Sequence, residues 1–238
     1  MERKNKIQRI SVIGPGMMGH AIAQEFAVAG FDVTLCGRDE NRLEEAMEKI
    51  ENSLQELAQW ELISKDEIDP ALSRLVTTTD LEAAGSGADF IVESIVEVLE
   101  VKEKLFARLD AICPQHTILA SNTSSLIPST LAASTWHPDR FLIAHYFNPP
   151  YLMPLVEIVK GEHTADDEVI NGPSSVRKKP WGLSSTGCSW CCGGRPSTLC
   201  SGELHRPRMW TARSKIVSED VWAWWAHSNF TNISMATT

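Results

Sequence analysis

The chain has 238 residues, 43 % of them hydrophobic and 22 % charged, which is enough for one sheet-and-helix domain with a smaller appendage. Its formal net charge of -9 with no clustered basic segment argues against nucleic acid or a membrane surface as partner. No apolar run reaches the roughly 18 residues that span a bilayer, and Met1-Glu2-Arg3-Lys4 leads to a strand without a signal-peptide core, so the expected compartment is the cytoplasm.

Ile10-Ser11-Val12-Ile13 is the first predicted strand, and it breaks into Gly14-Pro15-Gly16-Met17-Met18-Gly19. A β-branched run followed at once by G-x-G-x-x-G and an apolar 3.6 period is the strand, turn and helix that hold a dinucleotide pyrophosphate. Gly14 makes the turn, Gly16 lets backbone approach phosphate, and Gly19 lets the helix pack on the strand. Met18, Ile22, Phe26 and Ala29 continue one helical face, Gly30 stops it, and Val33-Thr34-Leu35 begins a second strand.

From Asp39 a long amphipathic helix is marked by Leu43, Met47, Ile50, Leu54 and Leu57. Leu75 to Thr78 is a third strand and Asp89 to Ser94 a fourth; Val101, Leu105, Leu109 and Ile112 then mark a helix that Pro114 ends. Thr117 to Ala120 is a fifth strand and Phe141 to Ala144 a sixth. Alternating strands and helices predict an α/β protein with a Rossmann-type, doubly wound, mostly parallel sheet. Ligands of such sheets lie beyond the carboxyl ends of the strands. The polar residues there are Glu97 and Lys102 after the fourth strand, Ser121 to Ser125 after the fifth, and His145 to Pro149 after the sixth. Cys36 and Cys113 are too few for a disulfide framework.

The stretches Ser121 to Leu126, His145 to Pro149 and Leu155 to Val159, behind an N-terminal G-x-G-x-x-G, resemble the L-3-hydroxyacyl-CoA dehydrogenase family over about residues 6–162. The resemblance implies NAD-dependent oxidation of an L-3-hydroxyacyl-CoA to the 3-oxoacyl-CoA. A dehydrogenase of a free 3-hydroxy acid, or a cofactor-binding remnant of low activity, is the alternative. Oxidising a secondary alcohol requires a base, and histidine's pKa suits it to that task near neutral pH. On the resemblance His145 is that base, Glu157 orients it, Ser124 donates to the substrate oxygen and Asn148 orients substrate or nicotinamide. It also implies that Glu97 and Lys102 meet the nicotinamide ribose and that Ser53 meets CoA. Trp60 replaces the cation expected one helix face beyond Ser53. The acid expected to end the second strand is replaced by Gly37, followed by Arg38 and Asp39, an arrangement that also accommodates the 2′-phosphate of NADP. Gly14, Gly16, Gly19, Gly37, Arg38, Glu97, Lys102, Ser124 and Asn148 therefore form the expected cofactor set, and Ser53, Ser124 and Asn148 the expected substrate set.

Past about residue 180 the chain changes character. Six of the eight tryptophans and four of the six cysteines lie there, with no sustained period of 3.6 or 2. The division expected is residues 1–179 as the dinucleotide-binding domain carrying the catalytic histidine, and 180–238 as an irregular tail in place of the family's helical domain and its homodimer interface. Cys188-x-x-Cys191 has metal-ligand spacing, with Cys192, Cys200 and His205 nearby, but no matching second pair follows, so no metal is expected.

Overall fold

The computed structural model describes residues 7–153 and 155–165. The predictions for residues 180–238, including the tail, the missing dimer interface and the cysteine group, lie outside them. Seven strands form one sheet: β1 (Arg9–Ile13), β2 (Asp32–Cys36), β3 (Leu75–Thr78), β4 (Phe90–Glu93), β5 (Ile118–Ser121), β6 (Phe141–Tyr146) and β7 (Val156–Lys160). Their order is β3-β2-β1-β4-β5-β6-β7; the first six run parallel and β7 is antiparallel to β6. The connecting helices are α1 (Met17–Val28), α2 (Glu40–Gln59), α3 (Ile68–Ser73), α4 (Leu81–Gly85), α5 (Leu99–Ile112) and α6 (Pro128–Ala132). Strand order reverses between β1 and β4, which puts the switch point of the sheet directly beyond Ile13 and Glu93.

The period-2 alternation of the strands divides the core between two faces. Ile10, Val12, Phe90, Val92, Ala120, Leu142 and Ala144 pack with α1, α2 and α3, whereas Ile13, Ile91, Leu119, Phe141 and Ile143 pack with α4, α5 and α6. Phe106 of α5 and Phe141 of β6 meet edge to face with centroids 4.8 Å apart, and both are fully buried. Gly30 ends α1 with φ +95°, as its place after the apolar stripe requires.

Two expectations are corrected. The stripe on α5 is turned by about one residue from Val101, Leu105, Leu109 and Ile112: Val101 is 42 % exposed, while Lys102, Phe106, Leu109 and Asp110 are buried. Charged residues face inward there because each has a partner, Lys102 with Glu93 and Asp110 with Arg140. The sixth strand runs on to Tyr146, so His145 lies within β6 and not after it. Antiparallel pairing with β7 extends β6 and sets His145 opposite Glu157 and Tyr146 opposite Val156.

Candidate active site

The glycine turn fits an anion. Gly14 has φ +109°, and a Cβ there would stand 2.5 Å from the Ser94 carbonyl oxygen; a Cβ on Gly19 would stand 1.7 Å from the Gly14 carbonyl oxygen. Strand, turn and helix are thus locked together by backbone contact. Gly16 caps α1 without offering a side chain to its first-turn amides, and a Cβ on Gly16 would meet nothing within 4 Å. Those N–H groups and the space beside Gly16 are what a pyrophosphate needs. One turn on, His20 Nδ1–H donates to the Gly16 carbonyl oxygen at 2.8 Å, and burial pushes its pKa down.

The second element of the site was partly missed from sequence. Glu93, the last residue of β4, is fully buried and aligned with Ser121 on β5. One carboxylate oxygen accepts the Lys102 ammonium at 2.5 Å and the Ile95 N–H at 2.7 Å; the other accepts the Ser121 hydroxyl at 2.6 Å. Lys102 Nζ also lies 3.2 Å from Glu97, whose other oxygen accepts the Thr123 hydroxyl, the Ser125 hydroxyl at 2.9 Å and the Ser124 N–H at 3.3 Å. Burial pushes the Glu97 carboxyl up, but the Thr123 and Ser125 hydrogen bonds and the Lys102 charge together hold it below the usual carboxylate range. Lys102, expected from the resemblance to meet the nicotinamide ribose, has only 1 % of its side chain exposed. It joins the buried strand end to the Ser124 loop through Glu97. The available signal was Glu93 itself, a carboxylate closing the otherwise apolar strand Phe90-Ile91-Val92.

The third element is a hydrogen-bonded line across β5, β6 and β7. Ser124 Oγ lies 3.0 Å from His145 Nε2, and His145 Nδ1 lies 2.9 Å from Glu157 Oε2. A carboxylate on Nδ1 fixes that nitrogen as the N–H, so Nε2 carries the lone pair and the Ser124 hydroxyl donates to it. The His145 and Glu157 side chains are 22 % and 18 % exposed, open enough for a reactant and sheltered enough to strengthen the ion pair that protonation would form. The His145 ring lies 5.1 Å from that of Phe147. Nearby, the Tyr146 N–H donates to Asn122 Oδ1 at 2.8 Å. Asn148 is exposed and precedes a cis bond to Pro149.

The remaining expected residues lie apart from this line. Gly37 is buried and its N–H donates to the Thr78 carbonyl oxygen, while Arg38 is exposed at the β2–α2 corner. Ser53 is half-buried on α2, near Tyr151, a phenol whose pKa burial pushes up. Trp60 is 53 % exposed. Among the described residues no group of His, Cys, Asp or Glu could hold a metal, and no helix is long and apolar enough to cross a membrane.

Residues 9–179 match the profile of the 3-hydroxyacyl-CoA dehydrogenase, NAD binding domain, family. The chain is 38 % identical over 192 residues to the mitochondrial hydroxyacyl-coenzyme A dehydrogenase of Sus scrofa, covering 77 % of this chain and 61 % of that protein. It is 36 % identical over 184 residues to the 3-hydroxybutyryl-CoA dehydrogenase of Clostridioides difficile, covering 75 % and 64 %. The crystal structure of 3-hydroxybutyryl-CoA dehydrogenase from Escherichia coli superposes with a TM-score of 0.68 at 35 % identity, over 71 % of this chain and 36 % of that one. The chain thus spans about three fifths of the curated relatives. A glycine turn, a Rossmann strand order and a serine–histidine–carboxylate line, together with these similarities, place the chain in the 3-hydroxyacyl-CoA dehydrogenase family, whose NAD-binding domain it carries.

Proposed function

We propose that this chain oxidises an L-3-hydroxyacyl-CoA to the 3-oxoacyl-CoA, with His145 as the base. The observation that carries the reading is the line Ser124–His145–Glu157, with contacts of 3.0 and 2.9 Å at the carboxyl end of the sheet. His145 Nε2 takes the hydroxyl proton of the substrate. Glu157 holds the ring in the tautomer that leaves Nε2 free to do so, and stabilises the imidazolium that results. For that proton transfer the Ser124 hydroxyl first turns its hydrogen bond from Nε2 to the substrate oxygen, and Asn148 orients the reacting groups. NAD, when bound, supplies the hydride acceptor; the residues that would hold its pyrophosphate are Gly14, Gly16 and the first turn of α1. Acetoacetyl-CoA reduction by NADH tests the assignment: the parent chain turns over, and His145→Asn binds NADH but does not. Equal turnover by both proteins would refute the base.

A second reading, a free 3-hydroxy acid as substrate, is favoured by one observation. Trp60 stands exposed where a phosphate partner was expected. Comparing kcat/KM for acetoacetyl-CoA and acetoacetate decides between the two.

A further inference from the structure

We propose that the β2–α2 corner takes the 2′-phosphate of NADP(H), with Arg38 as its partner, so that this domain binds the phosphorylated dinucleotide more tightly than NAD(H). The proposal rests on the pyrophosphate-binding turn and is independent of which substrate is oxidised.

Discrimination between the two cofactors is made at the adenosine ribose, beyond the end of the second strand. A carboxylate there accepts the 2′- and 3′-hydroxyls, whereas a phosphate on the 2′ oxygen needs a cation and no opposing acid. In this chain Cys36 ends β2 and Gly37 follows. No side chain fits at Gly37 as the corner stands: a Cβ would lie 2.9 Å from Pro15 Cγ and 3.1 Å from Leu43 Cδ2. Pro15, inside the glycine turn, and Gly37 therefore belong to one arrangement, in which the proline ring fills the space an acid's Cβ would need.

Two of the acids around the corner, Asp39 and Asp80, are engaged as helix caps. Asp39 is the N-cap of α2, and its carboxylate accepts the Arg42 N–H at 3.3 Å. Asp80 is the N-cap of α4, accepting the Glu82 N–H at 2.9 Å. Both charges are thereby set against helix N-termini, where the dipole offsets them. Glu40 is exposed on the first turn of α2. Arg38 is exposed and makes no hydrogen bond or ion pair among the described residues. The backbone on both sides of it is held, since Gly37 N–H donates to the Thr78 carbonyl oxygen at 3.1 Å and Asp39 accepts the Arg42 N–H as a cap. A guanidinium beside a glycine, with the neighbouring Asp39 held as a helix cap, is the partner that a dianionic phosphate takes and a neutral diol does not need.

Titration of the full chain with NADPH and NADH, followed by nicotinamide fluorescence, tests this without reference to turnover. NADPH binds about tenfold more tightly than NADH, the difference one charge-assisted contact makes. Arg38→Gln abolishes that difference by weakening NADPH about tenfold and NADH less than twofold. Arg42→Gln, which removes the same charge four residues on, changes either affinity less than twofold. Competition by 2′,5′-ADP exceeds that by 5′-ADP and weakens as salt is raised. NADH binding with NADPH excluded, or equal losses in the Arg38 and Arg42 variants, overturns the proposal alone. Failure of both dinucleotides to bind overturns it together with the cofactor assignment.

Discussion

Two carboxylate–base pairs stand at the carboxyl end of this sheet. Glu93 and Lys102 meet at 2.5 Å with exposures of 0 % and 1 %; Glu157 and His145 meet at 2.9 Å with exposures of 18 % and 22 %. The first pair joins the end of a central parallel strand to the start of a helix, and both its carboxylate oxygens are hydrogen-bonded, one by Lys102 and Ile95 and the other by Ser121. The second straddles the only antiparallel pairing of the described sheet and leaves one ring nitrogen facing a serine hydroxyl. Full burial and full satisfaction make an ion pair a fixed strut. Partial burial with one exchangeable partner is what the proposed base requires.

The comparison is broken most severely at His145. His145→Asn lowers turnover about 100- to 10,000-fold, the usual contribution of a positioned base, with NADH affinity unchanged. Next comes the strut. Lys102→Met leaves Glu93 buried without its counter-charge and lowers stability by about 3–5 kcal/mol, a fall in Tm of about 10 °C. Adding Glu93→Leu recovers most of that loss, because removing both charges leaves neither to be desolvated; a double variant no more stable than the single would show that Glu93 acts through other partners. Glu157→Gln loses a charge-assisted hydrogen bond of about 1.5–3 kcal/mol, and slows turnover about 10- to 100-fold without a comparable change in Tm.

The smallest effect belongs to Glu97, which links the two pairs. Its folded-state pKa is lower than the unfolded value of about 4.3, so the stability it contributes is present above that pH and is lost as pH falls towards the folded value. Denaturant midpoints measured between pH 6 and pH 3 fall less steeply for Glu97→Gln than for the parent chain. Parallel curves would remove Glu97 from the network.

Much of this arrangement is legible in the residues. The glycine spacing, the apolar runs of β1, β4, β5 and β6 and the stripe of α2 give the switch point and the strands around it, because each reports burial by a simple period. The motif residues Ser124, His145 and Glu157 also come together as expected. What sequence hides is polarity turned inward. Lys102 and Asp110 lie off the apolar stripe read for α5, and only their partners Glu93 and Arg140, distant in the chain, bring them inside. Strand β7 is obscured for a different reason: Val156-Glu157-Ile158-Val159-Lys160 lies half-covered beyond the parallel strands, so its pattern is neither a buried run nor a clean alternation.

That placement of β7 separates competence from foldedness. The residues of β4 and β5 are entirely buried, whereas β7, last in the described sheet, has none that are. Strands with so little cover open locally at a fraction of the free energy that unfolds a core. Each such opening takes Glu157 away from the His145 ring and leaves the nucleotide turn, six strands and their helices in place. On the proposed assignment the domain therefore loses its base before its cofactor: on gentle denaturation the amide protons of β7 are expected to exchange and Glu157 to part from His145 while the glycine turn still holds the dinucleotide.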